Sequence, residues 1–346
     1  TPENVSYDES NMTTMANGLY RALWGWNYGY CCRLFTLTLG ADDVIAGQLS
    51  KTRVIVIDEL RADATISELD VKYFWTNMYN LILNSNLMIE GISGSSGSFE
   101  EKKPYLGEAY FMRAFAYYNL VRIFGDVPAI IDSKSAQDVL GNENIGRNRV
   151  ADIYDKIIVP DLIMAEEYLP EVPRTRDNSS VGKIAAQTCL SEVYLTMAGW
   201  PLKRTEYYAK AAEKAKQIIE ASYNTHRLVE HYEDLWKEVM KSDNTEHIFA
   251  INCSRLNSMA SQYGISFLAM EENGWSDYLA DEAFYLKYPD DERKAFNYKT
   301  TYNRAGRPGQ TIIVPYTQST MKSPFINKYR DYGTDAAQSD GIIPIY

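Results

Sequence analysis

Hydrophobic positions recur at three- and four-residue steps through the first two thirds of the chain. Between residues 9 and 24, Met12, Met15, Ala16, Leu19, Tyr20 and Leu23 mark one face of a helix. Residues 70–90 predict a strongly amphipathic helix stopped at Gly91, followed by a flexible Gly- and Ser-rich connector over 91–104. The next helix spans 105–124, in the stretch GEAYFMRAFAYYNLVRIFGDVP, and ends at Gly125 with Pro128 beyond it. Leu106, Ala109, Tyr110, Arg113, Tyr117, Leu120, Val121 and Phe124 share one broad face there, while Ala114 and Ala116 leave room for a neighbouring helix. The aromatic stripe therefore predicts buried scaffold and not a ligand surface. Arg113 needs to snorkel or to find a carboxylate, and Glu108 is one candidate.

Residues 150–169 predict a helix that Pro160 kinks or splits. Residues 181–199 and 205–222 are two more helices, separated by a short Trp-Pro turn that packs them as an antiparallel hairpin. Beyond 222 the pattern changes. HIFAINCS at 247–254 reads as a short strand, and 255–346 carries little sustained periodicity. The fold class that follows is mostly α: a degenerate tetratricopeptide-like helical-repeat scaffold with an irregular loop-rich region packed on it. As a single domain over 1–346, the scaffold falls mainly in 9–24 and 70–222, and the loops in 25–69 and 223–346. Loops on a rigid frame are where binding residues gather.

Composition narrows the function. Lys and Arg number 35 against 46 Asp and Glu, a net charge of −11, and no basic run offsets it, so nucleic acid is excluded as a partner. Aromatic residues make up 13%, with 27 tyrosines, whose flat apolar face and polar tip suit interfaces and sugars alike. Cys31, Cys32, Cys189 and Cys253 show no zinc-site spacing and read as buried or semi-buried thiols. No stretch approaches a membrane-spanning length.

Catalytic patterns are weak. His226 and His231 are five apart and do not share a helical face, so no metal site is expected. GISGSSG lacks the residues that complete a phosphate loop or a nucleophile elbow, and Ser180-Val181-Gly182-Lys183 stands without companion motifs. The pairs Asp42/Asp43, Glu166/Glu167, Glu271/Glu272 and Asp290/Asp291 read as solvated acidic surface, since sequence neighbours point apart. Nothing requires an enzyme or a cofactor.

Several of these helices, taken in order, resemble the SusD/RagB family of nutrient-binding outer-membrane lipoproteins. YFWTNMYNLILNSNLMIEGI is similar to the family's W-x-x-x-Y-x-x-I-x-x-x-N helix through Trp75, Tyr79, Ile82 and Asn86. GEAYFMRAFAYYNLVRIFGDVP resembles its most specific signature, and DIYDKIIVPDLIMAEEYLP the helix that follows. VGKIAAQTCLSEVYLTMAG and YYAKAAEKAKQIIEA resemble its tetratricopeptide pair, and NTEHIFAIN the step out of it. Against that pattern, Pro160 is a departure, the lipid-bearing N-terminal Cys is expected upstream, and the family's C-terminal helices are expected beyond Tyr346. The resemblance implies a non-catalytic cell-surface protein that binds glycan and delivers it to a SusC-like TonB-dependent outer-membrane transporter. Membrane contact would come only through an N-terminal lipid anchor. A peptide-binding branch of the same family and a tetratricopeptide-type adaptor for protein segments are the alternatives.

The family's ligand contacts vary, so candidate residues rest on loop placement and chemistry. In SQYGISFLAMEENGWSDYLADEAF, Tyr263, Trp275, Asp277 and Tyr278 are either ligand contacts or packing. Asp42, Asp43, Arg61 and Asp63 could reach the same face or form a solvated loop. Trp26, Tyr28 and Tyr30 in GWNYGY are candidates for either the ligand or the transporter surface.

Overall fold

The computed structural model describes residues 6–25, 29, 39–48, 52–61, 64–140, 145–175, 177–237, 245–254, 256, 259–304, 311–328 and 342–346. Along the chain come α1 (Glu9–Trp24), β1 (Val44–Ala46), α2 (Thr52–Asp58), α3 (Ala64–Gly94), α4 (Phe99–Phe124) and α5 (Ser133–Leu140). After α6 (Val150–Ile153), a π-helical turn (Tyr154–Ile158) leads into α7 (Val159–Tyr168), then α8 (Lys183–Ala198) and α9 (Tyr207–Glu220). The remainder holds β2 (Ala250–Asn252), α10 (Tyr263–Phe267), β3 (Tyr278–Ala280), α11 (Glu282–Lys287), α12 (Glu292–Asn297), β4 (Tyr298–Lys299), β5 (Thr301–Asn303), β6 (Ile313–Pro315), β7 (Phe325–Ile326) and β8 (Ile342–Pro344).

The helices stack as neighbours, α3 on α4, α4 on α7, α7 on α8 and α8 on α9, while α1 lies across α3 and α4. The α8–α9 hairpin is antiparallel as its Trp-Pro turn predicts. Tyr194 meets Tyr207 at 5.4 Å between ring centres, and Ser191 Oγ donates to the Ala211 carbonyl. The signature helix α4 is buried on nearly every side from Tyr105 to Val121, because α1, α3, α7 and α8 all contact it.

Side chains at the motif positions clamp the extended segment after GDVP. Tyr79 Oη donates to the Pro128 carbonyl at 2.8 Å, and Asn86 Nδ2 donates to the Ile130 carbonyl at 3.0 Å. Tyr117 exchanges bonds with both the amide and the carbonyl of Ile130. Arg113 binds Asp161 of α7 through two parallel bonds of 2.7 and 2.8 Å, and adds Asn86 Oδ1 and the Ile131 carbonyl. Glu108 is therefore not its partner. The two are five positions apart and do not share a helix face, and Glu108 instead takes Arg174 at 3.0 Å.

Three local expectations are revised. The helix predicted to stop at Gly91 runs to Gly94, since Gly91 is where Tyr7 approaches: a Cβ there would meet Tyr7 Oη at 1.9 Å. The connector is shorter than 91–104, because α4 starts at Phe99 and carries Pro104 inside it. At Pro160 the chain stays helical, and the expected disturbance takes the form of a π-helical turn between α6 and α7. The π-helical turn immediately before it shifts the bonding register to which the missing N–H would have belonged.

The loop half is organised by a four-stranded antiparallel sheet of order β1-β3-β7-β4. Its register pairs Ala46 with Tyr278, Leu279 with Phe325, and Tyr298 with Ile326. Alternation then sends Val44, Ala46, Tyr278, Ala280, Ile326 and Tyr298 to one core with Trp24, Val54 and Phe267. Ile45, Leu279 and Phe325 go to the other side, with Tyr302 of β5 and Val314 of β6. The β2–β8 pair fastens this half to the scaffold: Tyr346 bonds to the backbone of Phe249 in both directions, and its ring stands edge-on to Phe115.

Candidate ligand-binding surface

The β1–β3 ladder brings together the two loops that carry most of the sequence candidates. Gly47 N donates to the Asp277 carbonyl and Asp281 N to the Asp43 carbonyl, each at 3.0 Å, so the pairing extends past both ends of the strands. The approach is close: a Cβ on Gly47 would meet the Ser276 carbonyl oxygen at 2.0 Å. Asp58 at the end of α2 accepts the Ala46 amide at 3.0 Å and ties the same edge to α2.

Within that frame the candidates separate. Tyr263, Asp277 and Tyr278 are 4%, 3% and 1% exposed, and their side chains hold the loop from inside. Ser266 Oγ donates to Asp277 Oδ2, and Phe267 lies against Tyr278 at 5.3 Å and Tyr263 at 6.2 Å. Trp275 is half-buried, packed on the margin of the second core, with its amide bonded to the Ile265 carbonyl. Asp42 is exposed and Asp43 half-buried. Arg61 is exposed and pairs with Glu59 at 2.6 Å. Trp26, Tyr28, Tyr30 and Asp63 lie outside the described residues.

Next to these loops stands an aromatic cluster that the sequence reading missed. Tyr285 from α11 meets Tyr298 of β4 edge-on at 5.3 Å and Tyr316 at 6.2 Å. Tyr288 meets Tyr298 at 5.6 Å, and all four rings are half-buried, with part of each open to solvent. Burial pushes the Tyr298 hydroxyl up to about 12, with Tyr288, Asp43 and Tyr232 adding to the shift, so Asp43 lies within electrostatic reach of the cluster. Tyr316 Oη donates to Glu282, and Lys294 stands 4.8 Å from the Tyr285 ring centre while bonding Asp290 and the Tyr288 carbonyl. The available signal was Tyr285 and Tyr288, three apart at the end of a short helix, starting one residue beyond the stretch quoted above.

Most of the acidic pairs and Ser180 are engaged in structural bonds, and Glu271 and Glu272 are half-buried and not freely solvated. Glu271 accepts from the amide and hydroxyl of Thr320, and Glu272 from Lys299 and the Asn303 amide. Asp291 caps α12, and Glu166 binds Lys214 and Gln187. Ser180 Oγ accepts from the amide and hydroxyl of Thr175. Cys189 and Cys253 are free and buried, and desolvation pushes the Cys189 thiol up to about 12, away from nucleophilic use. No cluster that could hold a metal ion occurs among the described residues. No helix among them is long and apolar enough to cross a membrane. Two clefts, of about 460 and about 500 Å³, flank α1 and share Arg174; none of the four tyrosines lines either.

Such an architecture is a tetratricopeptide-like helical scaffold that carries a loop-built face with half-exposed tyrosines. Residues 40–195 match the SusD-like family described as "Starch-binding associating with outer membrane". SusD-like protein P2 of Formosa agariphila is 30% identical over 281 residues, 76% of this chain and 52% of that protein. A SusD superfamily protein from Parabacteroides distasonis superposes with a TM-score of 0.83 at 25% identity, over 99% of this chain and 74% of that one. A crystal structure with xylogluco-oligosaccharide shares the fold at a TM-score of 0.69 and 20% identity, over 91% of this chain and 63% of that one. The chain belongs to the SusD-like family. It spans about half the length of the curated relatives it matches.

Proposed function

We propose that the chain is the binding part of a cell-surface lipoprotein that captures oligosaccharide or polysaccharide and delivers it, unmodified, to a TonB-dependent outer-membrane transporter. The observation that carries this reading is the surface of Tyr285, Tyr288, Tyr298 and Tyr316 beside the β1–β3 edge. Aromatic faces stack on the C–H faces of pyranose rings, and phenol hydroxyls and carboxylates take the sugar hydroxyls. Asp42, Asp43 and Trp275 supply the margin of the same surface, and Trp275 and Tyr298 rest on one core. Family membership and the neighbour with xylogluco-oligosaccharide support a carbohydrate ligand. The acidic pairs at 271/272 and 290/291 hold loops together, which supports binding without turnover.

Calorimetry on the full-length protein with a panel of oligosaccharides tests the site. Tyr285→Ala is expected to weaken binding by roughly fivefold to tenfold, the loss of one ring contact, and Trp275→Ala by less. Undiminished affinity in both variants would place the ligand elsewhere. Release of reducing ends from any bound glycan would sink the non-catalytic reading, and capture of peptides in place of glycans would favour the family's other branch.

A further inference from the structure

At one corner of the tyrosine surface stand two cations without an acidic partner among the described residues. The Arg293 guanidinium lies 5.3 Å from the ring centre of Tyr232. Lys328 Nζ lies 6.0 Å from the same centre and 4.9 Å from that of Trp236. Neither makes an ion pair among the described residues, in a chain whose net charge is −11. The carboxylates around them are committed. Glu233 and Asp234 both bind Lys237, Asp290 binds Lys294, Asp291 caps α12, and Glu292 accepts the Tyr232 amide at 3.0 Å.

This corner is continuous with the tyrosine cluster. Tyr232 Oη donates to Asn297 Oδ1 at 3.1 Å, and its ring meets Phe296 edge-on at 5.7 Å; both partners immediately precede Tyr298. Arg293 projects from the exposed side of α12, and Lys328 is half-buried just beyond β7. A planar guanidinium suits the paired oxygens of a carboxylate or sulfate, and a lysine adds a point charge that partial burial protects from screening.

We propose that Arg293 and Lys328, over the Tyr232 and Trp236 rings, form a subsite for an anionic substituent of the glycan, so that the preferred ligand is an acidic polysaccharide carrying uronate carboxylates or sulfate esters. This rests on the reading that the neighbouring tyrosines bind carbohydrate. The two cations sort glycans by charge, and the tyrosines hold the ring faces whatever the charge. Cation–π contact alone would stabilise the two side chains against the rings and give no such preference.

The test uses the full-length protein in calorimetry and affinity electrophoresis against matched pairs. One pair is polygalacturonate and its carboxyl-reduced product; the other is a sulfated galactan and its desulfated product. The charged member is expected to bind at least about tenfold more tightly, with the gap shrinking as salt rises from about 50 to about 500 mM. Arg293→Gln combined with Lys328→Gln closes the gap, while Tyr285→Ala weakens both members of a pair alike. Preference confined to the first pair assigns the subsite to carboxylate, and to the second pair, sulfate; either supports the proposal. Equal affinity for charged and neutral members, unchanged in the double variant but still sensitive to Tyr285→Ala, overturns the charge inference and leaves the glycan reading standing. Binding of no polysaccharide defeats that reading and this inference with it. Arg293 is exposed and Lys328 half-buried, and a thermal melt of the double variant checks that it folds.

Discussion

The helical scaffold and the loop half are held together by different means. In the scaffold, side chains lock to side chains inside the core: Arg113 to Asp161, Tyr118 to Glu192 and Thr196, and Glu108 to Arg174. In the loop half, strands of two or three residues are bonded through backbone, and several of the polar side chains that help do so by binding amides. Asp58 takes the amide of Ala46, Glu272 that of Asn303 and Ser276 that of Met270. Backbone pairing fixes where a loop runs without dictating every side chain on it. That leaves Tyr285, Tyr288, Tyr298 and Tyr316 half-buried, whereas Tyr117 and Tyr118 are fully buried, packed and hydrogen-bonded inside the scaffold. The scaffold is thus costly to alter and buries its aromatic rings, whereas the loop half leaves rings accessible.

The largest expected effect breaks the scaffold. Asp161→Ala leaves the Arg113 guanidinium buried without its carboxylate and is expected to cost about 3–5 kcal/mol in urea unfolding. Changing both partners, Arg113→Met with Asp161→Leu, should recover much of that loss, because no uncompensated charge then remains. The bonds to Asn86 and Ile131 would still be missing, so segment 127–131 should exchange its amides faster. If the single variant melts like the parent, the clamp is not what holds the signature helix to α7.

A smaller effect should fall on the loop half alone. Gly47→Ala places a methyl group where the Ser276 carbonyl stands, and relief requires β1 to move away from β3 at a cost of roughly 1–3 kcal/mol. Hydrogen exchange is expected to quicken at 44–47 and 277–281 while α3, α4, α7 and α8 keep their protection. Ligand affinity should fall with it, since Asp43 hangs on that edge. Uniform loss of protection across the scaffold would show that the two halves unfold as one and that the distinction drawn between them is too sharp.

The same contrast explains what could be read from the sequence. The scaffold was legible because each helix repeats its apolar face over several turns, and the hairpin of α8 and α9 lies within two residues of where periodicity puts it at either end. Errors there came from single contacts that periodicity does not encode, such as Tyr7 on Gly91 and Asp161 on Arg113. The candidate site was far less legible. SDYLAD left ligand contact and packing equally open, and its centre proves to be β3, whose three residues are all buried because cores lie on both faces of the sheet. The four tyrosines come from α11 and the residue that caps it, β4 and the turn after β6, and strand register brings them into contact. Elements this short leave no period to detect.

The smallest effect concerns pH and again should touch one half only. His226 and His247 lie in the loop half, between α9 and β2, and burial lowers both imidazoles below their ordinary value of about 6.5. His247 Nε2 lies 2.9 Å from the Leu235 carbonyl, and His226 Nδ1 lies 3.3 Å from that of Thr245, so each neutral ring can donate one bond across the segment. In the unfolded chain both rings take a proton near pH 6.5, while the folded chain resists it. Their contribution is therefore present above about pH 6.5 and is lost as pH falls below that toward the lowered folded values. Hydrogen exchange over 226–249, corrected for the intrinsic pH dependence, should quicken between about pH 7.5 and pH 5.5, with α4 and α8 unchanged. His226→Gln with His247→Gln keeps a donor at each position and removes the titration, so the segment should then respond little over that range. If the double variant loosens on acidification as much as the parent, carboxylates and not these histidines set the acid limit, and the segment is no weaker a part of the loop half than the rest.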